Sequence, residues 1–295
     1  MLLTAAPLAR AAEAAVNVRF RRAAPLPRPA ETRVITVANQ KGGVGKTTTV
    51  VNLAVALALH DLEVLVVDAD PQGNAATALG IDHRAGTPDV YEALIDQKPL
   101  IEIVQPVAAI EHVWCAPATI DLSGAEVELV NADQRDQRLA QALRAYGPSH
   151  ELNHGRRLDY VLIDCPPSLG LLTINALAAA EEVLIPIQCE YYALEGLSQL
   201  LKNIELVREH LNPKLQVGAV LLTMFDARTN LSSDVAAEVR GFLGDRVLEA
   251  VIPRSVRVSE APSHQQTVIT YDPGSSGAVA YLQAAVELNQ KGKRG

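Results

Sequence analysis

One segment constrains the fold of this chain more than any other: Val34-Ile-Thr-Val-Ala-Asn-Gln-Lys-Gly-Gly-Val-Gly-Lys-Thr-Thr, an apolar run, a glycine-rich turn and the start of a helical pattern. Gly42, Gly43 and Gly45 let the backbone approach an anion closely, and their N–H groups with the following helix N-terminus can surround phosphate oxygens. Val44 and Thr48 belong to the same cradle. Lys46 reaches the β and γ phosphates, and Thr47 offers a hydroxyl to Mg2+, a cation that usually keeps several of its waters. The usual spacing GxxxxGK[ST] is not met, because Gln40 stands where the first glycine would be and Lys41 has entered the loop.

Two further strand ends carry acids, in Val64-Leu-Val-Val-Asp-Ala-Asp70 and Tyr160-Val-Leu-Ile-Asp164. Asp164 suits a metal role through a bound water. Asp70 is better placed to orient an attacking water. Hydrolysis of a phosphoanhydride needs positioning and charge neutralisation more than covalent chemistry, so Lys41, Lys46 and Asp70 suffice for a slow ATPase. The plainer alternative for either aspartate is a helix cap or a turn former.

From Arg33 onward, short β-branched runs alternate with longer helical patterns, as in βαβ units. Strands are expected near residues 34–38, 64–68, 112–116, 160–164, 183–187, 217–222 and 247–252, and helices near 46–59, 169–180, 194–210, 231–243 and 278–288. Near-continuous apolar strands imply burial on both faces. The fold class that follows is α/β, a doubly wound, mostly parallel sheet with helices on both faces, with ligands beyond the carboxyl ends of the strands.

The 295 residues, 48% of them hydrophobic, suit one compact core with surface insertions. A net charge of −8 excludes a globally basic nucleic-acid binder, so any such contact must be a local patch. Cys115, Cys165 and Cys189 show no CxxC spacing and read as small core residues of a reducing compartment. No apolar run approaches the roughly 20 residues of a spanning helix. Residues 1–32, rich in Pro and Ala and carrying five arginines against Glu13 and Glu31, read as a flexible basic arm, 33–290 as the ATPase domain, and 291–295 as a basic tail. Tyr146-Gly-Pro-Ser-His-Glu-Leu-Asn-His-Gly-Arg-Arg reads as a loop, which leaves His150 and His154 without the helix and further ligands that a zinc site needs.

Lys41-Gly-Gly-Val-Gly-Lys-Thr resembles the deviant Walker A motif of the ParA/MinD group of P-loop NTPases. The segments starting at Ile163 (Ile-Asp-Cys-Pro-Pro-Ser-Leu-Gly), Cys189 (Cys-Glu-Tyr-Tyr-Ala-Leu-Glu-Gly), Leu222 (Leu-Thr-Met-Phe-Asp-Ala-Arg-Thr-Asn) and Val251 (Val-Ile-Pro-Arg-Ser-Val-Arg-Val-Ser-Glu-Ala-Pro-Ser) resemble its chromosomal ParA/Soj branch, over residues 33–288. The resemblance implies an ATP/ADP- and Mg2+-dependent switch, in which Lys41 reaches the partner's nucleotide in a homodimer with ATP sandwiched between subunits. Gly42 would lie where the subunits come closest, and Asp70 matches the aspartate needed for hydrolysis. It further implies non-specific binding of double-stranded DNA through Arg228, with Arg257, Arg240 and Arg254 extending the patch. A ParB-type centromere-binding partner would stimulate hydrolysis, in a cytoplasmic, nucleoid-associated protein with no membrane stage. Met224 and Pro253 are expected near the adenine. A MinD-like cycle would need a terminal amphipathic helix; an iron-sulfur member would need cysteine ligands, whereas Cys165 beside two prolines reads as packing.

Overall fold

The computed structural model describes residues 24–190 and 193–292. Eight strands, β1 (Arg33–Val37), β2 (Val64–Asp68), β3 (Gln105–Pro106), β4 (Val113–Ala116), β5 (Tyr160–Asp164), β6 (Glu182–Gln188), β7 (Gln216–Phe225) and β8 (Val247–Pro253), form one sheet in the order β3-β4-β2-β5-β1-β6-β7-β8. All neighbours are parallel except β3 and β4. The helices are α1 (Lys46–Leu59), α2 (Asn74–Ala78), α3 (Val90–Leu94), α4 (Leu122–Glu128), α5 (Arg138–His154), α6 (Leu171–Ala179), α7 (Ala193–His210), α8 (Asn230–Leu243), α9 (Val256–Glu260), α10 (Val268–Tyr271) and α11 (Ser276–Lys291).

Successive strand residues point to opposite faces, and here both faces are covered. Val64, Val66, Tyr160 and Leu162 pack with α1 and α11, whereas Leu65, Val67, Val161 and Ile163 pack with α3 to α6. Val183, Ile185 and Val220 extend the second face under α7 and α8. This is the expected doubly wound architecture. The chain leaves β1 towards β2 and β4 on one side and occupies β6, β7 and β8 on the other, so the reversal of winding falls at β1, directly before the glycine-rich turn. The three cysteines are free and buried, as their isolation in the sequence suggested.

Two expectations are corrected. Residues 146–157 do not form a loop: α5 runs through Pro148 to His154 and ends at Gly155, which takes the left-handed conformation at φ 70°. Pro148 is exposed, so the N–H it lacks leaves a carbonyl that water can satisfy, while Tyr146 and His150 on the inner face are buried. Residues 24–32, expected to be part of a flexible arm, run as a strap under the amino ends of the strands. Arg28 Nε donates to Asp159 Oδ1 at 2.8 Å, the Leu26 N–H to the His60 carbonyl at 3.2 Å, Thr32 Oγ1 to the Leu158 carbonyl at 2.7 Å, and Asn289 Nδ2 to the Pro27 carbonyl at 3.1 Å. Residues 1–23 lie outside the described residues.

The same floor of the sheet holds a buried polar cluster. Glu63 accepts from Trp114 Nε1 at 2.8 Å and faces His112 Nδ1 at 3.0 Å, while His150 Nε2 lies 3.7 Å from it and Arg156 Nε 3.5 Å. His150 and His154 both pack on the Trp114 ring, and among the described residues no group of three or more His, Cys, Asp or Glu is arranged to hold a metal. Burial would push the Glu63 carboxyl up, but His150, Trp114, His112 and Arg156 together hold it down at about 2. A depressed carboxylate stabilises the fold above its ordinary value of 4.5 and loses that contribution as the pH falls towards 2. Urea unfolding of the Glu63→Gln variant is therefore expected to show a shallower loss of stability over that pH range than the parent chain.

Candidate active site

The glycine-rich loop leaves β1 at its carboxyl end and is held by the two strands on one side of it, β6 and β7. Asn39 Nδ2 donates to the Pro186 carbonyl at 2.8 Å, and its Oδ1 accepts the Lys41 N–H at 3.0 Å. Thr223 Oγ1, on β7, donates to the Val44 carbonyl at 2.9 Å. Gly43 (φ 74°) and Gly45 (φ 89°) are in the left-handed region, which a side chain would strain. Above Gly42, Gly43 and Gly45 there is open space: a Cβ at any of the three would meet nothing within 4 Å. The loop thus presents an unroofed cradle of backbone N–H groups at the start of α1, where the helix dipole favours an anion. Thr47 and Thr48, in the first turn of α1, are half-buried beside it.

The two lysines face different ways. Lys46 is buried, and its Nζ donates to the Lys41 carbonyl at 3.3 Å. Burial lowers its pKa, against the pull of Asp164 and Asp70. Lys41 is exposed, and its Nζ pairs with Glu190 Oε2 at 3.0 Å. Glu190 in turn accepts Gln188 Nε2 at 2.5 Å.

Three carboxylates gather at the ends of β2 and β5, and two of them, Asp164 and Asp70, act on Lys46. Asp68 and Asp164 are register partners on adjacent strands and both are fully buried. Asp70 accepts the Gln72 N–H at 3.0 Å. Neither oxygen of Asp164 has a hydrogen-bond partner. Burial pushes its pKa up to about 7, opposed by the Thr47 hydroxyl and by the Lys46 ammonium. An orphaned buried carboxylate beside a threonine hydroxyl and a phosphate cradle fits a hydrated divalent cation, which Thr47 and Asp164 could hold.

Asp68 was not assigned a role from the sequence. Its Oδ2 accepts the N–H groups of Ala75 and Ala76, both at 3.0 Å, and its Oδ1 that of Asp70 at 3.2 Å. It therefore caps α2, whose own N-cap, Gly73, has no side chain to do so, and fixes the Asp70 backbone. Burial first, and the Asp164 charge second, push its pKa well up.

Met224 and Pro253 sit at the adjoining ends of β7 and β8, where Phe225 pairs with Pro253, and Met224 directly follows the threonine that ties the loop. Met224 has φ 51°, an uncommon conformation for a residue with a side chain. Of the four arginines, Arg228, Arg254 and Arg257 are carried at this same end of β7 and β8. Arg228 is largely exposed and forms a two-point pair with Asp226, at 2.8 and 2.7 Å. The Arg254 N–H donates to the Phe225 carbonyl at 2.9 Å, and Arg257 faces Glu260 at 3.4 Å. Arg240 is near the far end of α8, where its Nη2 donates to the Glu249 carbonyl at 3.3 Å. The structure does not bring it together with the other three.

A family model described as an AAA domain matches residues 32–217. The sporulation initiation inhibitor protein Soj of Bacillus subtilis is 52% identical over 260 residues, covering 88% of this chain and 99% of that protein. The chromosome partitioning protein ParA of Myxococcus xanthus is 51% identical over 259 residues, 88% of each chain. The chain belongs to the ParA/Soj family. Among solved structures, cobyrinic acid a,c-diamide synthase from Mycobacterium smegmatis, with bound ATP analogue and magnesium, superposes with a TM-score of 0.72 at 38% identity, covering 86% of this chain and 93% of that one.

The capping of α2 generates a test. Asp68→Asn retains an acceptor for one or more of the three N–H groups, whereas Asp68→Ala leaves buried donors unpaired at about 1–3 kcal/mol. Thermal unfolding of the two variants is expected to place Asp68→Ala clearly below Asp68→Asn.

Proposed function

We propose that this chain is a DNA-segregation ATPase in which ATP joins two copies and hydrolysis separates them. The observation that carries the reading is the division of labour between the two lysines. Lys46 is turned into its own loop, while Lys41 holds its ammonium outside, on an exposed carboxylate. A cation released from Glu190 is free to serve a nucleotide bound by a second copy, and the open space above Gly42 leaves room for that approach. Tight binding of ATP rather than ADP then depends on the γ-phosphate meeting positive charge from both subunits.

Within one subunit, the loop N–H groups and Lys46 hold the phosphates, Thr47 and Asp164 hold Mg2+ as described, and Asp70 orients the attacking water. Mg2+, when bound, neutralises charge on the phosphate oxygens. Asp68 keeps Asp70 in place. Met224 and Pro253 flank the base. Hydrolysis is slow in the isolated protein and is raised by a ParB-type partner.

The ATP-joined dimer binds double-stranded DNA without sequence preference. Arg228 is the principal contact, supported by Arg254 and Arg257 at the same end of the sheet, with Arg240 at most a peripheral one. A net charge of −8 is compatible with this if arginines of two subunits line one face. Arg228 must exchange its pair with Asp226 for a phosphate, which an exposed ion pair allows at little cost.

The test is co-sedimentation with duplex DNA of mixed sequence in ATP and Mg2+, in ADP and Mg2+, and without nucleotide. DNA binding is expected only with ATP, weakening steeply as salt rises. Arg228→Glu is expected to remove it while leaving ATP binding intact. Equal binding in all three conditions, or none from a protein that still binds ATP, would sink the DNA part of the proposal.

A further inference from the structure

We infer that the cavity between α3, α5 and the turn Leu100–Glu102 is a binding site for a small organic carboxylate with an apolar body. The cavity encloses about 230 Å³, below the roughly 300–1,000 Å³ of most ligand pockets, which limits the occupant to about ten heavy atoms. Its lining mixes apolar Ala93, Leu100, Ala142 and Ala145 with polar Gln97, Gln141 and Ser149. Arg138, the first residue of α5, lies on the same helix face as Ala142 and Ala145.

Arg138 makes the argument. It is only 9% exposed, and its partners are backbone carbonyls alone: Nε donates to Asp133 at 3.0 Å, and Nη1 to Leu94 at 3.1 Å and Ile95 at 3.2 Å. Among the described residues, Nη2 has no acceptor and no carboxylate lies within ion-pair distance of the guanidinium. Lys98, also at the cavity, differs in being paired with Glu92 at 3.0 Å. The guanidinium is mostly buried and without a counter-charge, which carbonyl dipoles offset only in part, while Nη2 keeps a contact with solvent. An anionic ligand would supply the missing charge and accept the two N–H groups of Nη2. A bare inorganic anion leaves the apolar lining uncovered, whereas a carboxylate on a ring or a short chain meets both the guanidinium and the apolar groups.

This site is separate from the phosphate loop and independent of the reading given above. The full chain is titrated with sodium benzoate, followed by ligand-observed NMR, alongside benzyl alcohol and inorganic phosphate at matched ionic strength. Benzoate is expected to saturate with a Kd of about 1 mM or below, as its nine heavy atoms allow. Benzyl alcohol should bind at least about tenfold more weakly, and phosphate should not compete. Arg138→Gln should weaken benzoate at least about tenfold. Because Arg138 also ties down α3, a second variant, Ala142→Phe, keeps the guanidinium and fills the cavity, and it should abolish binding while circular dichroism stays unchanged. Absence of saturable benzoate binding in the parent chain, equal binding of phosphate, or binding that survives both substitutions would overturn the inference.

Discussion

The working end of this molecule depends on the gathering of three carboxylates and one ammonium at the ends of two adjacent strands. Asp68, Asp70 and Asp164 would repel one another, and two of them have no access to water. The fold resolves this unevenly. Asp68 is satisfied by three backbone N–H groups, and Asp70 by a turn of its own. Asp164 is left without a partner, facing Thr47 and Lys46. The least satisfied group is thus the one placed where a cation would go, and the other two are locked around it.

That arrangement requires the sheet to hold the loop rigidly from elsewhere. β7 reaches across with Thr223 to the Val44 carbonyl, and β6 accepts Asn39 through Pro186. Both anchors come from the side of the sheet that lies across β1 from the acids. The phosphate loop is therefore tied to β6 and β7 on one side, and the strands that end in Asp68 and Asp164 lie on the other.

Much of this was legible from local pattern. The strand, glycine turn and helix around Lys46 were read to within a residue, because β-branched periodicity, turn chemistry and helical spacing all agree there. β4 began at Val113 rather than His112, whose φ of 67° takes it out of the strand. The failures share a cause, namely partners distant in sequence. Pro148 argued for a loop, and only the burial of Tyr146 and His150 against the sheet overrides it. Arg28 looked like tail composition, yet its carboxylate partner is 131 residues away. Asp68 was passed over because nothing in Asp-Ala-Asp says which acid a short helix further along will use as its cap. The turn to Glu190 taken by Lys41 likewise spans 149 residues.

The strap of residues 24–32 has a practical bearing on how the molecule is handled. It crosses beneath the amino ends of β1, β2 and β5 and is tied there to His60, Leu158, Asp159 and Asn289. The phosphate loop and the exposed arginines are at the opposite rim. A fluorophore, affinity handle or surface tether placed at Ala24 would stand beneath the sheet, away from the rim that the proposed nucleotide and second copy would approach. A tether placed in the Asp226–Thr229 turn would stand in the way.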